Sequence, residues 1–223
     1  MSDNGEQARA IKTGVLDPLD RDSEFLFGLI MALTFTCTLS AATAGDDAVL
    51  TVAFGALACN LAWGVVDGVM YLLSCLAQRG SSLAALRRLR RTRSLDAARP
   101  VIEDALPEPV VAVLSPQEID EILGRMAERS TPPARARLMR DDYLAAAAIL
   151  GVVVSSAIPV ILPLLLLGDH PLAIRVSNAV AVVLLLLAGW KFGKTIGAPP
   201  LRSALSMVAL GFGLVAVTIL LGG

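Results

Sequence analysis

The sequence predicts an all-α, polytopic membrane protein with five transmembrane helices and a small helical cytosolic insertion between the second and third. Hydrophobic residues make up 55% of the 223 residues and charged residues only 17%. A soluble domain with this balance has too few polar side chains to cover its surface. The apolar residues are also concentrated in long runs, and a helix needs about 20 such residues to cross the hydrocarbon core.

Five apolar runs are long enough to be transmembrane helices. They comprise residues 25–44, 49–77, 143–167, 172–190 and 203–221. The preceding residues, 1–24, are polar and lack the apolar core of a signal peptide, so we expect a cytosolic tail. The domain boundaries follow: the first two helices occupy residues 25–77, the insertion 78–140 and the last three helices 141–223.

The positions of lysine and arginine predict the orientation. Twelve of the sixteen arginines lie between residues 78 and 140, and further cations lie in the tail and before the fifth helix. Because cationic loops stay in the cytoplasm, we expect the N-terminus and the insertion inside and the C-terminus outside. Arginine far outnumbers lysine, as is common in GC-rich prokaryotes, and we expect a bacterial inner (plasma) membrane.

The insertion is predicted to fold as short helices. Ser115-Pro116-Gln117-Glu118 is typical of a helix start, and its helix should extend to about Arg129. Residues 83–93 are predicted to prolong the second membrane helix. We expect the arginines at 87–93 to bind anionic lipid. No aromatic side chains alternate with them, so nucleic-acid binding is not expected.

Asp67 is the residue that most strongly suggests a function. An ionisable side chain within an apolar run is unfavourable by about 3 kcal/mol and usually serves an ion path or proton relay. Asn60 lies seven residues earlier, on the same helical face. Three interpretations stay open: these residues line a transport path, Asp67 forms a structural hydrogen bond to a neighbouring helix, or Asp67 lies in headgroup water because the helix continues into the cytosol.

Further polar or sulfur-containing side chains lie on the first predicted helix. Thr34 and Thr38 share a face with Met31, and Glu24 lies where the helix enters the membrane. We include all four in the candidate transport path. The alternatives are that the threonines bond their own backbone and that Glu24 favours the helix N-terminus electrostatically.

A possible cytosolic metal site involves Glu118 and Glu121, which lie on one face of the predicted insertion helix. Such pairs are also common on solvated helices. The three cysteines and the single histidine match no metal or haem motif. No nucleotide-binding or catalytic motif is present either. We therefore expect no enzymatic activity and no permanently bound cofactor.

The layout of five helices with a cytosolic insertion resembles the vacuolar iron transporter family. Local similarity includes the first helix, from Phe27-Gly28 to Ala44-Gly45, and Gly55-Ala56-Leu57 in the second. The third helix resembles the family at 158–163 and the last at 202–218. Leu138-Met139-Arg140-Asp141-Asp142 resembles a metal-binding run of the family's insertion.

The resemblance implies a homodimeric, proton-coupled carrier for ferrous iron or manganese, with the metal as substrate. It assigns metal-binding roles to Met139 and Asp142. Met31 occupies the position of the family's first-helix aspartate, and Cys59 or Asn60 that of a second-helix methionine. The alternative is a non-transporting homologue that acts as a membrane scaffold or partner-binding subunit.

Overall fold

The computed structural model describes residues 18–42, 48–91, 108–129, 134–168 and 172–221, together with Leu16 and Pro100. All regular structure within these ranges is helical, which confirms the predicted all-α class. In chain order the helices are α1 Pro18–Ala42, α2 Ala48–Arg91, α3 Glu108–Val111, α4 Pro116–Arg129, α5 Arg140–Leu167, α6 Ala173–Thr195 and α7 Pro200–Leu220.

Four of the helices are long and apolar enough to cross a membrane: α2 over Val49–Arg88, and α5, α6 and α7 over their full lengths. The protein is accordingly an integral membrane protein by helix length and composition. These four helices contain the predicted second to fifth spans. The first predicted span, 25–44, lies on α1 as far as residue 42, where the described part of that helix ends.

Two helix predictions in the insertion are confirmed. The helix of the second span continues without a break to Arg91, because α2 is a single helix of 44 residues. α4 begins at Pro116, directly after Ser115, and ends at Arg129. The backbone N–H and the hydroxyl of Ser115 both donate to Glu118 Oε2 at 2.8 Å, and Glu118 N donates back to Ser115 Oγ at 3.3 Å. This is the reciprocal capping box that the sequence predicts.

The chain divides into two compact units. The first comprises Met1–Met70 and Tyr143–Gly223, and the second comprises Tyr71–Asp142. The first unit therefore contains α1, the beginning of α2, nearly all of α5, and the pair α6 and α7. The second contains the remainder of α2 and the insertion.

The core of the first unit is built around α1. Leu29, Ala32 and Leu33 of this helix are almost completely buried, and α1 packs against both α6 and α7. Buried side chains of α2, α5, α6 and α7 join the same cluster. Large apolar side chains on the outer faces of these helices, such as Leu166 and Leu187, stay exposed, as expected of surfaces that contact lipid.

α6 and α7 form a helical hairpin through a tight turn. Gly197 adopts a positive φ of 71°, a conformation that suits glycine because it has no Cβ. Ala198 N donates to Gly193 O at 2.9 Å and Gly197 N to Lys194 O at 3.3 Å, the paired bonds of a Schellman ending. Pro200 then starts α7.

Candidate functional site

Asn60 is fully buried on α2, and its amide is only half satisfied. The Nδ2 group donates to Ala56 O of the same helix at 3.0 Å. The Oδ1 atom has no hydrogen-bond partner among the described residues. A buried acceptor without a partner destabilises a fold by about 1–3 kcal/mol, so such a group usually has a reason to be retained.

The unpaired oxygen lies beside Gly28, where α1, α2 and α5 come close together. A Cβ built on Gly28 of α1 would lie 3.2 Å from Asn60 Oδ1, 2.8 Å from Val153 O and 2.1 Å from Ser156 Oγ. Only glycine fits at this position of α1 without a shift of the neighbouring helix. The absence of a side chain at Gly28 brings three oxygen atoms from two other helices together.

The polar atoms of this cluster are acceptors. Ser156 is fully buried, and its hydroxyl donates a hydrogen bond to Val153 O at 2.7 Å. Its remaining capacity is that of an acceptor, like that of the amide oxygen of Asn60. Oxygen atoms that can act only as acceptors are suited to binding a cation. We call Gly28, Asn60, Val153 and Ser156 the oxygen cluster.

Asp67 lies on α2 about 10 Å from Asn60 along the helix axis, as seven residues of helical rise require. Its side chain is half-buried, and its Oδ2 atom is the second buried side-chain oxygen without a partner among the described residues. Glu24 of α1 is also half-buried, and its carboxylate interacts electrostatically with that of Asp67. Carboxylates that repel each other favour protonation or a bound cation.

Glycines hold α2 close to α5 along the stretch that carries Asn60 and Asp67. A Cβ on Gly64 would approach Leu150 Cα to 3.2 Å and its Cδ1 to 2.8 Å. A Cβ on Gly68 would lie 3.1 Å from Ala146 O. Small residues four apart allow helix backbones to approach in membranes. The Gly64-x-x-x-Gly68 spacing was the sequence signal for this contact, and our sequence analysis did not use it.

The other candidates on α1 bond to their own helix or pack beside it. Thr34 Oγ1 donates to Ile30 O at 2.8 Å, and Thr38 Oγ1 donates to Thr34 O at 2.9 Å. These bonds correspond to the backbone-bonding alternative for the two threonines. Met31 is half-buried on the same helix. The oxygen cluster is formed by Gly28 and its neighbours, and none of these three residues contributes an atom to it.

Asp22 is a buried acid that sequence reasoning missed. It lies at the start of α1 with 5% of its surface exposed, and Lys191 of α6 donates to its Oδ1 at 2.6 Å. Thr195 Oγ1 donates to Oδ2 at 3.1 Å. Its partners are about 170 residues away in the chain, so no local pattern indicated the contact. The pair fixes the beginning of α1 to the end of α6.

In the second unit, Asp142 bonds to protein groups. Arg79 of α2 donates to both of its oxygens, at 2.5 and 2.7 Å, in a two-pronged contact. Met139 N also donates to Asp142 Oδ2 at 2.6 Å, which caps the start of α5. The side chain of Met139 is exposed. Arginine and the helix start thus occupy the oxygens that the resemblance assigns to a metal.

The two glutamates of α4 are exposed and also have protein partners. Glu118 belongs to the capping box, and the hydrogen bonds from the backbone and hydroxyl of Ser115 lower the pKa of its carboxyl. Glu121 accepts a hydrogen bond from Arg125, one turn further along the helix, at 2.5 Å. Within the described ranges, the structure brings no three His, Cys, Asp or Glu side chains together as a metal site.

No protein-family model matches the chain, and a search of curated proteins gives no match either. Function therefore rests on the chemistry of the buried polar residues in α1, α2 and α5. Of the ten predicted site residues, Asn60 has an atom in the oxygen cluster, and Asp67 and Glu24 are half-buried carboxylates on α2 and α1 that interact electrostatically.

Proposed function

We propose that this chain transports a divalent transition metal, iron or manganese, across the membrane, with its path through the first unit. The observation that carries the proposal is the pair of buried, unpartnered oxygens on one helix, Asn60 Oδ1 and Asp67 Oδ2. A fold without a ligand to bind gains stability by pairing such atoms or replacing them with apolar groups. Their retention on one membrane helix favours a transient, positively charged ligand.

The composition of the path fits this class of substrate. The oxygen cluster offers an amide, a hydroxyl and a carbonyl oxygen, which are neutral ligands suited to manganese or ferrous iron. Glu24 and Asp67 supply the negative charge that the cluster lacks. Because the two carboxylates repel each other, binding a cation or a proton between them relieves the repulsion, and this couples metal and proton movement.

The family resemblance, together with the distribution and usage of lysine and arginine, supplies the remaining features of the proposal. The chain acts as a homodimer with five membrane helices, and α1 is the first of them. The tail and the insertion face the cytoplasm and the C-terminus faces outward, in a bacterial inner membrane. Met31, beside the path, is a soft and neutral ligand where the family has an aspartate, and Asp67 provides the carboxylate from α2 instead.

A second candidate function is a membrane scaffold or partner-binding subunit without transport. The observation that favours it is the pairing of the insertion's acids: Asp142 with Arg79, Glu118 with Ser115 and Glu121 with Arg125. A cytosolic metal-collecting site would have to break these contacts. Under this proposal the oxygen cluster serves only the close packing of α1, α2 and α5.

Uptake of Mn²⁺ and Fe²⁺ into proteoliposomes tests the proposal. We expect Asp67→Asn to lower the uptake rate by at least about 10- to 100-fold, the loss that follows when even a hydrogen-bond partner of a metal ligand is removed. Asp141→Asn is the matched control, because it makes the same change at an exposed acid in the first turn of α5. The control should transport like the wild type.

Two results would contradict the proposal in whole or in part. Wild-type vesicles that take up neither metal under a pH gradient of either sign would contradict the proposal directly. Equal uptake by wild type and Asp67→Asn would remove Asp67 from the path. Co-purification of a stoichiometric protein partner, with no metal found by elemental analysis, would support the scaffold.

A further inference from the structure

A groove of about 330 Å³ opens on the surface of the first unit and shares no lining residue with the oxygen cluster. Its walls come from α1, α5 and α6, and its lining is mostly apolar. Phe25, Val152, Leu184 and Leu187 form most of the apolar surface, and Ser155 is the polar side chain within it. A volume of this size lies at the lower end of the range that holds small ligands.

Two cations stand at one end of this groove. Lys191 donates one hydrogen bond to Asp22 Oδ1 at 2.6 Å, and an ammonium group has two further donors. Arg21 is about half exposed, and its Nε lies 3.8 Å from the same oxygen, too far for a hydrogen bond. One buried carboxylate therefore faces two cations, so the mouth of the groove keeps a net charge of about +1.

The position of these groups along their helices matches the layers of a bilayer. Arg21 lies in the first turn of α1 and Lys191 in the last two turns of α6, where a membrane helix reaches the headgroups. From Lys191 to Leu184 the groove follows α6 for about 10 Å, given 1.5 Å per residue. One leaflet of hydrocarbon is about 15 Å deep, so the apolar part runs into the acyl-chain region.

We infer that this groove binds one anionic glycerophospholipid of the leaflet at which α1 begins. The lipid phosphate accepts hydrogen bonds from Lys191 and Arg21, and the first part of an acyl chain lies against Phe25 and Leu184. Asp22 positions the ammonium of Lys191 for this contact. Charge complementarity selects an anionic headgroup over a zwitterionic one, and the apolar length selects a lipid over a free phosphate.

Lipid retention by the full-length purified protein tests this inference. The protein is equilibrated with phosphatidylglycerol or phosphatidylcholine, and bound lipid is counted by native mass spectrometry. The wild type should retain one phosphatidylglycerol in preference to phosphatidylcholine. Arg21→Gln, which leaves the Lys191–Asp22 pair in place, should lower that preference about fivefold, the share of one juxtamembrane cation. Lys194→Gln is the matched control, because Lys194 lies at the same end of α6 but does not line the groove.

A second variant tests the apolar part independently of charge. Ser155→Phe places a ring in the groove and should abolish retention of the preferred phosphatidylglycerol. Gly213→Phe makes a small-to-large change on α7, where a Cβ meets nothing within 4 Å, and should leave retention unchanged.

Four outcomes would overturn the inference. The first is equal retention of the two lipids by the wild type, and the second is an unchanged preference in both Arg21→Gln and Ser155→Phe. The third is a disulfide between two copies of the Leu187→Cys variant in the membrane, with no disulfide-linked dimer of the wild type. Such a disulfide would mean that a second copy of the chain occupies the groove. Displacement of the lipid by inorganic phosphate alone would likewise show that the site recognises only a free anion.

Discussion

Replacement of Gly28 by alanine is the smallest change that tests the packing of the oxygen cluster. The added methyl group would lie 2.1 Å from Ser156 Oγ and 2.8 Å from Val153 O. The Ser156 hydroxyl can rotate away only by giving up its 2.7 Å bond to Val153 O. The carbonyl of Val153 belongs to the backbone of α5 and moves only if α1 and α5 separate.

The expected change in the free energy of unfolding is the difference between two opposing contributions. Overpacking a well-packed core destabilises by about 1–3 kcal/mol. Alanine in place of glycine in a helix favours folding by up to about 1 kcal/mol. Since the overlaps at Gly28 are severe, we expect a net loss of about 1–2 kcal/mol. For a chain of this size each kcal/mol corresponds to a decrease in Tm of about 2–4 °C.

Thermal unfolding of the purified protein in detergent measures this loss, with Gly151→Ala as the control. Gly151 lies on α5, where a Cβ meets nothing within 4 Å, so this variant keeps the helix-propensity gain without the overlap. Adding Ser156→Ala to Gly28→Ala removes the 2.1 Å contact but not the one with Val153 O. It should restore only part of the stability. Equal stability of Gly28→Ala and Gly151→Ala would refute the packing of α1 on α5 described here.

Three further predictions concern single contacts. Ser177→Ala removes a 2.6 Å bond to a backbone carbonyl of the proline-containing helix α5 and should lower the unfolding free energy by about 0.6–1.7 kcal/mol in the same assay. Lys191→Met leaves the buried Asp22 carboxylate without its ammonium partner. Because Lys191 is itself largely exposed, we expect a loss of about 1–2 kcal/mol, below the value for a fully buried pair. The pKa of Glu118 is lowered by hydrogen bonds from Ser115, so the capping box stabilises α4 above the usual glutamate pKa. That contribution is lost as the pH falls through the lowered pKa. An NMR titration of the Glu118 carboxyl should place its midpoint below 4.5, its ordinary value, and Ser115→Ala should raise the midpoint.

Local signals in the sequence were sufficient for the start of α4 and for the extension of α2. Residues 115–118 predicted the start of α4 because a capping box lies within four consecutive residues. The extension of α2 to Arg91 followed from a run of good helix formers without proline. In both cases the determining interactions join neighbours in the chain, and such interactions are visible before the fold is known.

Contacts between distant helices were not predictable in the same way. The sequence placed Asp22 in a polar cytosolic tail, because no residue near it in the chain indicates that Lys191 is its partner. Asp142 read as a metal ligand, while the Arg79 that bonds it lies 63 residues earlier. The sequence around an acidic residue shows its charge and its position on a helix. The identity of the cationic side chain that pairs with it, however, depends on how the helices pack.

The choice between transporter and scaffold can be tested at Asn60 alone, by comparing stability with transport. Asn60→Leu replaces a buried amide, whose oxygen lacks a partner, with an apolar side chain of similar length. The substitution removes an unsatisfied hydrogen-bond acceptor. The Asn60→Leu protein should therefore unfold no more easily than the wild type. If the amide oxygen serves the path, the same variant should lose about 10-fold or more in Mn²⁺ uptake.

Asn178→Leu is the control for this comparison. Asn178 Oδ1 accepts a 2.9 Å hydrogen bond from Thr36, so its amide oxygen is paired and its loss should destabilise the fold by about 1 kcal/mol. If Asn60→Leu keeps its stability but loses transport, Asn60 serves function and does not stabilise the fold. A clear loss of stability in Asn60→Leu, with uptake unchanged, would make Asn60 a structural residue and leave Asp67 and Glu24 as the sole support for transport.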